Sequence, residues 1–153
     1  MKTVTESITV KAPIDKVFDA YVNRIDEWWP RRTDNFRFTF APSDVEPLHI
    51  RFEPQAGGRF YETFANGEEY VIGTIQEYAP PSKIAYTWKD PDWNAETLVE
   101  ISFQQSGDET TLSLRHSGFE ALEQPEIAGG YSQGAKEIYG ILKAWLEEQL
   151  VEV

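Results

Sequence analysis

The segment "GAKEIYGILKAWLEEQL", residues 134–150, sets the terms for everything before it. Ala135, Ile138, Tyr139, Leu142, Trp145 and Leu146 recur at the three- and four-residue spacing of one helical face. An apolar stripe of about three turns needs cover. The chain upstream offers strands rather than a partner helix: about six short alternating segments separated by turn residues. Consecutive strands joined by short turns pair antiparallel. One sheet and one amphipathic helix bury each other only if the sheet curls around the helix. The expected fold class is therefore α+β: a curved antiparallel sheet of about six or seven strands around a long C-terminal helix, with one or two short helices after the first strand. No repeat, linker or composition break divides the 153 residues, so residues 1–153 read as one domain. Such a sheet rarely closes fully, and a cavity is expected at one end.

The strand readings follow from parity. "TVTESITV" turns Val4, Glu6, Ile8 and Val10 inward. In "APIDKVFDAYVN", Pro13 suits a first helical position and Asp15 the first turn. Ile14, Val17, Phe18 and Tyr21 then form one helical face, and "RIDEWWP" adds a turn stopped by Pro30. Residues 31–47 are loop-like, with "FRFTF" a possible strand carrying Phe36, Phe38 and Phe40 on one side. "PLHIRFEP" turns Leu48, Ile50 and Phe52 inward, and "GGRFYETF" turns Phe60, Glu62 and Phe64 inward. Asn66-Gly67 marks a hairpin. "YVIGTIQEY" ends at Pro80-Pro81, and "KIAYTW" returns with Ile84, Tyr86 and Trp88 facing the last helix. A further hairpin around residues 106–108 turns in Val99, Ile101, Phe103, Leu112, Leu114 and His116. Gly129-Gly130 is expected to turn a long connector into the last helix. Gly140 lowers helix propensity by about 1 kcal/mol, so either another element approaches closely there or the cost is tolerated.

Bulk properties remove several function classes. The formal net charge of -12 repels phosphate backbones and anionic lipid heads, so neither nucleic acid nor a membrane surface is an expected partner. The absence of cysteine excludes disulfides, thiol nucleophiles and thiolate metal sites. No segment has the length and apolarity of a membrane span, and "MKTVTESITV" lacks a signal h-region, so a cytoplasmic location is expected.

Five segments in order carry a resemblance: "APIDKVFDAYV", "WWP" at Trp28 to Pro30, "GGRFYE" at Gly57 to Glu62, "GTIQEYAPPSKIAYTW" at Gly73 to Trp88, and "TLSLRHSGFE" at Thr111 to Glu120. In them the chain resembles the SRPBCC, or START-like, helix-grip superfamily. Within it the chain is similar to the group named after the C-terminal domain of the activator of heat-shock protein 90 ATPase. The resemblance implies the helix-grip fold. Relatives include lipid and hormone carriers, polyketide aromatase/cyclases and chaperone-binding domains. Members usually open the last helix with Gly-Trp; here Gly134 is followed by Ala135, and Tyr139 stands where a leucine is usual. The missing bulk enlarges or reshapes the expected cavity.

Inward parity puts polar Glu62 and His116, with Glu6 beside them, among apolar neighbours. A carboxylate beside an imidazole in an apolar cavity suits acid/base chemistry, and equally suits orientation of a ligand or satisfaction of a buried group. Trp29, Trp88 and Tyr139 are candidate walls, with Phe38 and Phe40 over the mouth. The binding set expected is thus Glu62, His116, Trp29, Tyr139, Trp88, Phe38 and Glu6. No G-x-S-x-G elbow or H-E-x-x-H motif occurs, and neither a metal nor a cofactor is expected. Three readings stay open: a module binding a small, largely hydrophobic or aromatic ligand; a cyclase, dehydratase or hydrolase using Glu62 and His116 as its acid/base pair; and a chaperone-interacting module. A homodimer is compatible with each.

Overall fold

The computed structural model describes residues 3–151. Strand β1 (Val4–Val10) leads into helices α1 (Ile14–Val22) and α2 (Ile25–Trp28). Six strands follow: β2 (Pro47–Phe52), β3 (Arg59–Phe64), β4 (Glu69–Ala79), β5 (Lys83–Trp88), β6 (Thr97–Ser106) and β7 (Glu109–Ser117). Short 3-10 turns at Phe119–Ala121 and Pro125–Ile127 lead to the long helix α3 (Ala128–Val151). The seven strands form one curved antiparallel sheet in the order β1-β7-β6-β5-β4-β3-β2, gripping α3. Ile138, Tyr139, Leu142 and Leu146 bury the inner face of α3, while Ala135 and Trp145 are half-buried at its margins. Among the described residues no helix is long and apolar enough to cross a membrane.

Two of the sheet's register irregularities fall on β4. Its pairing with β3 shifts register between Phe60 and Tyr61, and its pairing with β5 shifts between Ile75 and Glu77. Such irregularities bend and twist a strand. Gly73 lies between them, and a Cβ built there would sit 1.7 Å from the carbonyl oxygen of Thr87. Only a residue without a side chain permits that approach of β4 to β5.

Three readings from the sequence need correction, and the Gly140 alternatives resolve to a tolerated cost. "FRFTF" is not a strand; an isolated bridge joins Arg32 to Arg37, and the rest of the segment hydrogen-bonds elsewhere. Leu48 is 47% exposed rather than inward, because a register shift between Pro47 and His49 breaks the parity of β2. Gly129 and Gly130 lie inside the first turn of α3 instead of before it. Burial of Ala128 and packing of Tyr131 against the core outweigh their poor propensity. Gly140 has nothing within 4 Å of a built Cβ and sits on the exposed face of α3. Gly140→Ala is therefore expected to stabilise the fold by up to about 1 kcal/mol, read as a rise in urea midpoint with unchanged slope.

Candidate functional site

The sheet and α3 part at one end and leave a cavity of about 580 Å³. Its floor is one row of the sheet. Val4 pairs with His116, His116 with Val99, and Val99 with Tyr86, and all four side chains line the space. Leu114 and Trp88 extend the floor. The roof is α3, through Tyr131, Gly134, Ala135, Ile138 and Tyr139. At Ala135 only a methyl group meets this space.

Residues 36–40 form a strap across the mouth, with Phe36, Phe38, Thr39 and Phe40 in the lining. The ring of Phe38 lies 3.3 Å from where a Cβ on Gly134 would sit, so the strap closes directly on the helix. The Trp29 indole donates to the Phe38 carbonyl oxygen at 3.0 Å. Phe40 packs on Tyr70 and Trp88, with centroids 4.9 and 5.9 Å away.

The expected acid/base pair is not assembled. Glu62 is 1% exposed but lies outside the cavity lining. Its carboxyl oxygens accept the Thr39 hydroxyl and, at 2.7 Å, the backbone N–H of Phe40. Inward parity placed the side chain correctly in the sheet, and the strap, which has no periodicity to read, took it as an anchor. His116 instead has Thr97 as its partner, Nε2 to Oγ1 at 2.7 Å. Glu6 pairs across the strands with Leu114 rather than His116, is only partly buried, and lies outside the lining. Trp29, Trp88, Phe38, Tyr139 and His116 all face the cavity.

The hydrogen bonding fixes the His116 tautomer. Thr97 has one hydroxyl proton, and it goes to the Trp88 carbonyl oxygen at 2.8 Å. Thr97 Oγ1 must then accept from His116, so Nε2 carries the proton and Nδ1 keeps its lone pair. The ring is enclosed by Phe119, Tyr131 and Trp88, at centroid distances of 4.5, 5.7 and 6.1 Å. Burial alone pulls its pKa down to about 3.

A depressed histidine pKa means that the unfolded chain binds the proton first. The stabilisation is complete above the unfolded value of about 6.5 and is lost as pH falls toward 3. The difference in unfolding free energy between wild type and His116→Gln is expected to shrink by about 2 kcal/mol between neutral pH and about pH 5. Parallel urea titrations of both proteins check this; a constant difference would mean that His116 titrates normally.

Two features escaped the sequence reading. The hydroxyl of Tyr21 meets those of Tyr86 and Tyr139 at 2.7 and 2.9 Å, joining α1, β5 and α3 at the deep end of the site. Burial raises all three pKa values, well above the ordinary value for Tyr21 and Tyr86, so each hydroxyl keeps its proton. At the rim, Asp90 accepts Tyr131 Oη at 2.7 Å and Trp88 Nε1 at 2.8 Å. Burial raises its carboxyl pKa despite those donors. Among the described residues no cluster of His, Asp and Glu is spaced to hold a metal ion.

The model of the family described as Activator of Hsp90 ATPase homolog 1-like protein matches residues 11–147. The chain belongs to this family. The same fold recurs in solved structures of low sequence identity. MLL2253 from Mesorhizobium loti superposes with a TM-score of 0.70 at 21% identity, over 96% of this chain and 98% of that one. CV1439 from Chromobacterium violaceum gives 0.68 at 21% identity, over 96% and 99%. An anthrahydroquino-γ-pyrone synthase, Txn09, is 27% identical over 94% of this chain and 88% of its own, with a TM-score of 0.54. No curated protein matches by sequence.

Proposed function

We propose that this family member binds a small, largely apolar or aromatic molecule between the curved sheet and α3. One observation carries the reading: a cavity of about 580 Å³ walled mainly by aromatic and aliphatic side chains, with a few polar groups converging on it. Small-molecule sites have this division of labour and volumes of about 300–1,000 Å³. The likeness to Txn09, an anthrahydroquino-γ-pyrone synthase, supports an aromatic occupant.

The same likeness favours a second reading, an enzyme of the cyclase or dehydratase type. His116 would then be the group that meets the substrate, since Glu62 is engaged by the strap. A histidine with its pKa pulled to about 3 is a weak base at neutral pH. Its committed Nε2–H and remaining lone pair suit orientation of a ligand better than proton abstraction.

Native mass spectrometry of the purified protein, with a melting-temperature screen across lipids and aromatic metabolites, tests the binding reading. A co-purifying small molecule or a compound that raises the melting temperature is expected. No bound mass and no shift across the library would overturn it.

A further inference from the structure

The proton count of the tyrosine cluster does not close. Tyr21, Tyr86 and Tyr139 bring three hydroxyl protons to two shared hydrogen bonds. Whichever way those bonds run, one O–H is left as a donor, and no acceptor for it exists among the described residues. All three residues line the cavity.

An acceptor stands across from it. His116 is 5% exposed and makes no side-chain hydrogen bond besides that of Nε2 among the described residues. Every fully enclosed side-chain nitrogen and oxygen among those residues has a partner. An unpartnered Nδ1 therefore lies at open space, and the space this ring lines is the cavity. Tyr86 and His116 share a row of the floor with Val99 between them. Two inter-strand spacings put their Cα atoms about 10 Å apart.

The neighbouring polar groups are already engaged. The Trp29 and Trp88 indole N–H groups, the Tyr131 hydroxyl and the Thr39 hydroxyl each have protein acceptors. Charge is confined to the mouth side. Among the described residues Arg37 is the only lysine or arginine in the lining, and Asp90 and Asp92 oppose an anion there. A charged group carried past them would lose its hydration without gaining a counter-ion.

We propose that the occupant is an uncharged aromatic hydroxyketone, with its carbonyl accepting from the tyrosine cluster and its hydroxyl donating to His116 Nδ1. This rests on the binding reading above and specifies what that reading leaves open. Four probes separate the two contacts: diphenylmethane, benzophenone with a carbonyl only, 4-benzylphenol with a hydroxyl only, and 4-hydroxybenzophenone with both. Binding is followed by tryptophan quenching at about pH 6, where the phenols are un-ionised. In the wild-type protein each group is expected to tighten binding about tenfold over diphenylmethane. The carbonyl's gain is expected to vanish in the triple variant Tyr21→Phe, Tyr86→Phe, Tyr139→Phe. The hydroxyl's gain is expected to vanish in His116→Phe, with the other gain retained in each case. Equal affinity for all four probes in the wild type would overturn the hydroxyketone assignment and leave the binding reading standing. Failure of all four to bind would also overturn the hydroxyketone assignment, and would overturn the binding reading with it where native mass spectrometry and the melting screen are empty as well. The wild-type ranking alone decides if a variant does not fold.

Discussion

Glu62→Ala is expected to lower stability by about 3 kcal/mol and release the strap from the mouth of the cavity. The substitution removes the acceptor for the Phe40 N–H and the Thr39 hydroxyl together. Each donor left unsatisfied in a buried site costs about 1–3 kcal/mol. For a chain of this size the melting temperature falls by roughly 6–12 °C. Glu62→Gln keeps a carbonyl oxygen for one donor, and a loss of about 1 kcal/mol is expected. The local consequence is more specific than the global one. Amide exchange at Phe40 and Ala41 is expected to accelerate beyond the change in overall stability, because Thr39 Oγ1 also accepts the Ala41 N–H at 3.1 Å. Wild-type melting with a still-protected Phe40 amide would show that the anchor is elsewhere.

Ala135→Trp is expected to weaken binding of the benzophenone probes at least about 100-fold with the fold intact. The side chain at this position lines the cavity from α3, and an indole there occupies the space a ligand ring would take. Filling a void in an apolar wall is compatible with equal or higher stability. The control is Ala144→Trp, at an exposed position of the same helix, which should leave affinity unchanged. Equal affinity in Ala135→Trp and wild type would place the probes outside the cavity.

Much of this architecture is written in periodicity. Alternation identifies Phe60, Glu62, Val99, Ile101, Leu112, Leu114 and His116 as inward, and all are buried. The stripe from Ala135 to Leu146 identifies the helix that the sheet surrounds. Legibility ends where contacts join elements far apart in sequence without a repeating pattern. Parity puts Tyr86 inside, and helical spacing does the same for Tyr21 and Tyr139. Neither says that three hydroxyls converge, since that depends on how α1, β5 and α3 cross. Tyr131 was hidden by the adjacent glycines, whose propensity argued for a connector where tertiary packing makes a helix. Glu62 and His116 looked like partners because both are polar and inward. The strap and Thr97 claim them separately, and only three-dimensional adjacency reveals that.

Gly73 lies outside the cavity lining, yet it sets how closely β4 approaches β5, whose Tyr86 and Trp88 form part of the floor. The backbone of Thr87 comes so near its Cα that any methyl there would push two neighbouring strands apart, and the trough they form would open or flatten. Efforts to retune which molecules fit should therefore reach beyond the inner surface to this distant hinge, where one carbon atom resets the width available to everything inside.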